Sequence, residues 1–171
     1  MKEAAPNHYE KAFASWLIEN QVEFVTAADQ HKPVYEQSGL KSFDFLVCPT
    51  SGKKIIAEVK GRRFKGASLA GLPRLECWVT TDDVDGLAAW QKILGDDYEA
   101  NFIFAYRVQN VDVDFDGREI FEFNQDKYLF LAVRLADYIQ YMRQRSPKWK
   151  TITLPADKFR FCASPVKQLF I

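Results

Sequence analysis

The sequence predicts an α/β fold: a single domain with a mixed central β-sheet flanked by helices. Three observations lead there. An amphipathic helical stripe opens the chain, two apolar segments joined by a tight polar turn follow as a hairpin, and a second amphipathic helix then precedes further strongly apolar strands. Helix and strand signals interleaved in this way describe a sheet covered by helices. The 171 residues suit one domain over 1–171. No repeat, low-complexity segment or linker rich in Gly, Ser or Pro divides them.

The elements follow in order. Tyr9, Ala12, Phe13, Trp16 and Leu17 recur at helical spacing, with Asn7 placed as the N-cap and the helix ending near Asn20. A short apolar piece, Val22 to Ala28, leads into a polar loop from Asp29 to Gly39. Ser42 to Cys48 (SFDFLVC) and Lys54 to Lys60 (KIIAEVK) form a hairpin about the turn Pro49 to Lys53. Gly61 to Pro73 reads as a basic, Gly-containing loop. Cys77 to Thr81 reads as a short strand, and Asp83 to Leu94 as a helix with Val84, Leu87, Ala88 and Leu94 on one face. Gln91 falls on that apolar face and reads as a buried, hydrogen-bonded structural group. Asn101 to Val108, Glu119 to Phe123 and Tyr128 to Val133 are strands, the last two joined by a turn from Asn124 to Lys127. Ala136 to Arg145 reads as a helix, and the segment from Thr151, which contains Pro155 and Pro165, as loop and short strand.

Composition excludes several classes. The chain is 47% hydrophobic and 27% charged, an ordinary globular balance rather than a disordered one. Lys plus Arg and Asp plus Glu number 23 each, so a uniformly basic nucleic-acid coat is excluded while a local basic patch is not. No run approaches the ~18 apolar residues of a membrane span, and MKEAAPNHYEKAF lacks the apolar core of a secretory signal. Cys48, Cys77 and Cys162 are odd in number and without metal-site spacing, which fits small core residues in a reducing cytoplasm.

Chemistry concentrates in Ser42 to Arg63. Asp44 interrupts one apolar strand, and Glu58 and Lys60 interrupt the next. Such groups are seldom buried without partners, since burying an unpaired ion costs several kcal/mol. Side chains alternate along a strand, so Glu58 and Lys60 point the same way, and the turn brings Asp44 beside them. Two adjacent carboxylates repel, and a hard divalent cation such as Mg²⁺ removes that repulsion while recruiting water and phosphate oxygens. A neighbouring lysine can orient water or support charge on a phosphate in transfer. This is equipment for phosphodiester hydrolysis.

An Asp, a turn and Glu-x-Lys on the next strand resemble the PD-(D/E)xK nuclease superfamily; the order of Glu10, Asp44, Glu58 and Lys60 is most similar to its archaeal Holliday junction resolvase branch. The motif region covers residues 8 to 63, with Phe43 in place of the family's proline. The resemblance implies a restriction endonuclease-like fold and DNA as partner. It makes Asp44 and Glu58 ligands of Mg²⁺, for which Mn²⁺ substitutes, and Lys60 the catalytic lysine. It also adds the Val59 carbonyl and Glu10 as further ligands. By analogy, two copies acting as a homodimer would cut two strands.

Alternatives stand beside each reading. Asp44, Glu58 and Lys60 are also what a structural ion-pair network would contain, and the fold could serve as an inactive nucleic-acid-binding or assembly module. Glu10 is equally placed to complete a capping box with Asn7. Arg62, Arg63 and Lys65, beside the hairpin, are expected to grip the sugar-phosphate backbone; a second basic run, Arg143, Arg145, Lys148 and Lys150 around Trp149, reads by default as a solvated face. GRRFKGAS (Gly61 to Ser68) has Ala67 where a P-loop needs lysine, and DVDFDG (Asp112 to Gly117) runs to Phe123 where a calcium loop needs Glu. His8 and His31 have no metal spacing between them.

Overall fold

The computed structural model describes residues 7–27, 41–72 and 75–171. Ala28, the expected loop from Asp29 to Gly39 with His31, and Pro73 lie outside the described residues. The elements in chain order are α1 (His8–Glu19), β1 (Glu23–Thr26), β2 (Phe45–Cys48), β3 (Lys54–Phe64), β4 (Val79–Thr80), α2 (Thr81–Leu94), β5 (Tyr98–Val108), β6 (Phe121–Phe123), β7 (Asp126–Arg134), α3 (Leu135–Tyr141), β8 (Arg143–Ser146), β9 (Thr151–Thr153), α4 (Ala156–Cys162), β10 (Ser164–Pro165) and α5 (Val166–Phe170).

The main sheet runs β1-β2-β3-β5-β7-β10, with β6 also paired to β7. Among the described residues of this sheet the central pair β3–β5 is parallel, in register from Lys54↔Tyr98 to Phe64↔Val108, and the other strand pairs are antiparallel. A smaller sheet, β4-β9-β8, stands beside it. Residue alternation along β3 sorts two cores. Ile56 and Phe64 join Phe102, Phe104, Leu131 and Val133 beneath Trp90 of α2 and Tyr138 of α3. Ile55, Ala57 and Val59 join Ile103, Ala105 and Phe130 beneath Phe13, Trp16 and Leu17 of α1. Each such large apolar side chain contributes about 1.5–3 kcal/mol when fully buried.

Local chemistry sets the element ends. Asn7 caps α1, its side chain accepting from the Glu10 N–H at 3.0 Å. Thr80 and Asp83 form a reciprocal capping box on α2. Gln91 is the expected structural glutamine: it donates to the carbonyls of Gly95 and Tyr98 and accepts from the Ala100 N–H at 2.7 Å, tying the end of α2 to β5. The β6–β7 turn is tighter than expected. Asn124 and Gln125 both take positive φ, which closes a two-residue hairpin.

Three expectations are corrected. Gly61 to Phe64 is strand rather than loop, because β5 offers an uninterrupted parallel partner that overrides the local glycine and cations. The helix expected over Ala136 to Arg145 stops at Tyr141, and Arg143–Ser146 instead pairs with β9. From Thr151 the expected short strand is present as β9 and β10, but two short helices, α4 and α5, stand where loop was expected; each begins directly after a proline, Pro155 or Pro165, a residue tolerated at a helix start. All three cysteines are free thiols, Cys77 in the core and Cys48 and Cys162 partly buried. Among the described residues, no helix is long and apolar enough to cross a membrane.

Candidate active site

The site is built where β2 gives way to the chain that precedes it. Pairing of Phe45 with Ala57, continued by one residue, sets Asp44 opposite Glu58. The Asp44 N–H donates to the Ala57 carbonyl at 3.1 Å, and Asp44 Oδ2 accepts from the Val59 N–H at 2.7 Å. Asp44 therefore uses its side chain to extend the ladder past the end of β2. On a strand the N–H and C=O of one residue leave by the same edge, so the Val59 carbonyl also faces the Asp44 side. Phe43, at the position of the family's proline, is buried edge-on against Trp90, with ring centroids 5.2 Å apart, and anchors this turn of chain in the core.

Three acids gather here. Glu58 is 8% exposed, Glu10 reaches in half-buried from the first turn of α1, and the Asp44 carboxyl interacts with both. Burial, reinforced by the mutual repulsion of the carboxylates, pushes Asp44 up to about 8. For Glu10, burial and then Asp44 raise it to about 7, against a smaller opposing pull from the Asn7 backbone. Burial likewise raises Glu58, although Lys60 works the other way. Glu10 thus draws on the backbone of the α1 cap while facing Asp44.

Lys60 projects from the same face of β3 as Glu58, two residues on. Its Nζ pairs with Asp83 Oδ2 at 2.8 Å. Asp83, in the first turn of α2, also pairs with Lys41 through Oδ1 and accepts from the Thr80 N–H at 2.9 Å through Oδ2. Burial alone would raise the Asp83 carboxyl, but the hydrogen bonds from Lys41 and Lys60 hold it well below the usual carboxylate range. Burial opposes the charge of Lys41 too; the bond and charge of Asp83 outweigh it and keep the ammonium above its ordinary value. Sequence reasoning missed Lys41 and Asp83. The one signal was Asp83 standing three residues after Thr80, which marks a capping box and nothing more.

Two lysines therefore share Asp83, while among the described residues none of Glu10, Asp44 and Glu58 forms an ion pair. This donor set is hard, oxygen-rich and short of positive charge, which fits a divalent cation. Among the described residues no group of three His, Cys, Asp or Glu side chains is placed to hold a metal ion as the side chains stand.

The expected backbone-gripping cations divide. Arg62 is not free: its guanidinium donates to the carbonyls of Gly61 (2.8 Å) and Trp78 (2.5 Å) and lies over the Trp78 ring. Arg63 and Lys65 are exposed and line a cleft of about 690 Å³ that also touches His8, Glu76 and Trp78. His8 hydrogen-bonds the Tyr128 hydroxyl at 2.9 Å and so has a structural partner. An apolar cavity of about 540 Å³ between Trp16, Phe130 and Val166 lies on the α1 face and shares none of the three acids.

A mixed sheet with its acids on a central hairpin and helices on its flanks is the restriction endonuclease-like architecture. Among solved structures, the chain is similar to Hjc, a Holliday junction resolvase from the archaeal hyperthermophile Archaeoglobus fulgidus. The TM-score is 0.52 at 10% identity, over 95% of this chain and 92% of that one. At that identity the likeness is one of fold. No protein-family model matches the chain, and no curated protein sequence does.

Proposed function

We propose that this chain is a metal-dependent DNA endonuclease of the PD-(D/E)xK type, structure-specific for branched DNA. The observation that carries the reading is the convergence of Glu10, Asp44 and Glu58, each held above its ordinary carboxyl range, beside Lys60 on a fold shared with a Holliday junction resolvase.

Asp44 and Glu58 would hold Mg²⁺ or Mn²⁺, with the Val59 carbonyl and Glu10 as further donors and water or phosphate oxygens completing the shell. The bound cation would polarise the scissile phosphate and lower the pKa of water. Lys60 would donate from Nζ to the attacking water or to a phosphate oxygen as negative charge builds there. Arg63 and Lys65 would bind the backbone along the neighbouring cleft, and Arg62 would support that wall from behind. Two copies acting together would cut both strands of a branch. A reducing, cytoplasmic setting accords with three free thiols.

The rival reading, an inactive nucleic-acid-binding or assembly module, draws on one feature: the Lys60 ammonium already has a carboxylate partner. Cleavage of labelled four-way-junction, duplex and single-stranded DNA with Mg²⁺ or Mn²⁺ separates the two. Asp44→Asn, Glu58→Gln and Lys60→Ala are each expected to abolish cutting. Undiminished cutting by all three would remove this site, and a parent protein that neither cuts nor binds Mg²⁺ or Mn²⁺ by calorimetry would favour the rival.

A further inference from the structure

The two basic runs of the sequence meet in space across Trp78. Arg62 of β3 lies 4.0 Å from the Trp78 ring centroid, and Arg145 of β8 lies 5.1 Å from it. Arg145 belongs to the β8–β9 hairpin, residues 143–153, which carries Arg143, Arg145, Lys148 and Lys150 and no acid. All four cations are exposed, and among the described residues none forms an ion pair.

The hairpin is fastened beside the candidate active site. β9 pairs with β4, and the Thr81 N–H donates to the Lys150 carbonyl at 2.9 Å, two residues from the Asp83 that holds Lys60. Trp78 lines the cleft of Arg63 and Lys65, with Glu76 as the acid on its wall, and Arg145 of the hairpin lies over that same ring. At the hairpin turn stands Trp149, 68% exposed, with Lys148 Nζ 5.3 Å from its ring centroid. An exposed indole among cations is the arrangement that binds bases outside a duplex: cations track phosphates and the ring stacks on a base.

We propose that the β8–β9 hairpin is a nucleic-acid-binding wing whose cations continue the phosphate path of Arg63 and Lys65 across Trp78, and whose Trp149 stacks on an unpaired base at a branch or strand end. The inference rests on the proposed function only in taking DNA as the partner.

The test is binding in EDTA, where no cutting occurs, by anisotropy of labelled duplex and of the same duplex carrying a single-stranded arm. Arg143→Gln/Lys148→Gln is expected to reduce the slope of log affinity against log salt by about 2 on both probes. Trp149→Ala is expected to weaken binding of the armed probe about 10-fold and to leave the plain duplex unchanged. An unaltered salt slope in the double variant overturns the phosphate path and leaves an acidic protein as the partner of this surface. Equal loss on both probes, or no loss, in Trp149→Ala overturns the stacking role. All three side chains are exposed, so the folded state survives these changes. Failure here leaves the cleavage test of Asp44→Asn untouched, and the converse also holds.

Discussion

Lys60, partly buried, and Asp83, buried, form an ion pair across the gap between β3 and the first turn of α2, Nζ to Oδ2 at 2.8 Å, with the two side chains 16% and 2% exposed. Asp83 also holds Lys41 and the Thr80 N–H. One carboxylate thus fixes the direction of the lysine beside the acid cluster and fastens α2 to a central strand of the main sheet.

That relationship predicts a large stability effect. Asp83→Asn takes from the partly buried Lys60 ammonium its paired carboxylate, and breaking a fully buried pair from one side costs about 3–5 kcal/mol, an upper bound here. The asparagine oxygen retains one acceptor for the Thr80 N–H, so about 3 kcal/mol in urea unfolding is the expected loss. Lys60→Met in the same chain should recover part of it, since the two changes act on one pair. A neutral Asp83→Asn would mean that the pair does not hold this corner together.

The acid cluster predicts the opposite sign. Asp44→Asn removes a charge from a site that already holds too many, while its side-chain oxygen can still accept from the Val59 N–H. The expected outcome in EDTA at pH 8 is a gain of about 0.5–2 kcal/mol, the range common when a functional site is relaxed, together with loss of cutting. A destabilised Asp44→Asn would count against crowded carboxylates.

pH should act in the same direction. Glu10 and Asp44 bind protons in the folded chain up to about 7 and about 8, while unfolded they release them near 4.5 and 3.8. Between those limits the folded state holds more protons than the unfolded one, so these groups make stability fall as pH rises from about 4 to about 8. Asp83, whose folded value is lowered, contributes stability that is fully present above its unfolded value of 3.8 and is lost only below it. Unfolding temperatures in EDTA should therefore decline across pH 5 to 8, and Mg²⁺ or Mn²⁺ should restore more at pH 8 than at pH 5. A rise with pH in the absence of metal would contradict the assignment.

The site was legible in the sequence to the extent that it is local. Asp44, Glu58 and Lys60 betray themselves as charges within apolar strands, and strand alternation alone puts two of them on one face. Lys41 and Asp83 carry no such mark: each sits in a polar neighbourhood, and only the tertiary approach of α2 to β3 makes them partners. The same division holds for the fold. The α1 stripe and the β2–β3 hairpin could be read from spacing, whereas the strand over Gly61–Phe64 exists because β5 pairs with it, and Arg143–Ser146 became strand because β9 was available. The contact of Arg62 with Trp78 was hidden for a related reason, since the two are remote in the chain.

Gly61 supplies a last prediction, because it governs how closely α1 approaches the sheet. A Cβ at this position would lie 2.1 Å from Tyr9 Cδ2 and 2.3 Å from Tyr9 Cγ, both ring atoms close to the helix backbone. Tyr9 has little room to yield: its ring lies 3.9 Å from that of His8 and meets Tyr128 edge-on at 6.1 Å. Gly61→Ala must therefore push the start of α1 outward, a strain of about 1–3 kcal/mol. The next residue on that helix is Glu10, so the same displacement moves a carboxyl away from Asp44. The expected result is a less stable protein whose affinity for Mn²⁺, read by calorimetry, falls along with its cutting rate. Tyr9→Ala combined with Gly61→Ala makes space for the added methyl and should recover more metal affinity than stability, because the lost ring packing is not replaced. If Gly61→Ala alone leaves metal affinity unchanged while lowering stability, Glu10 belongs to the helix cap and not to the metal site.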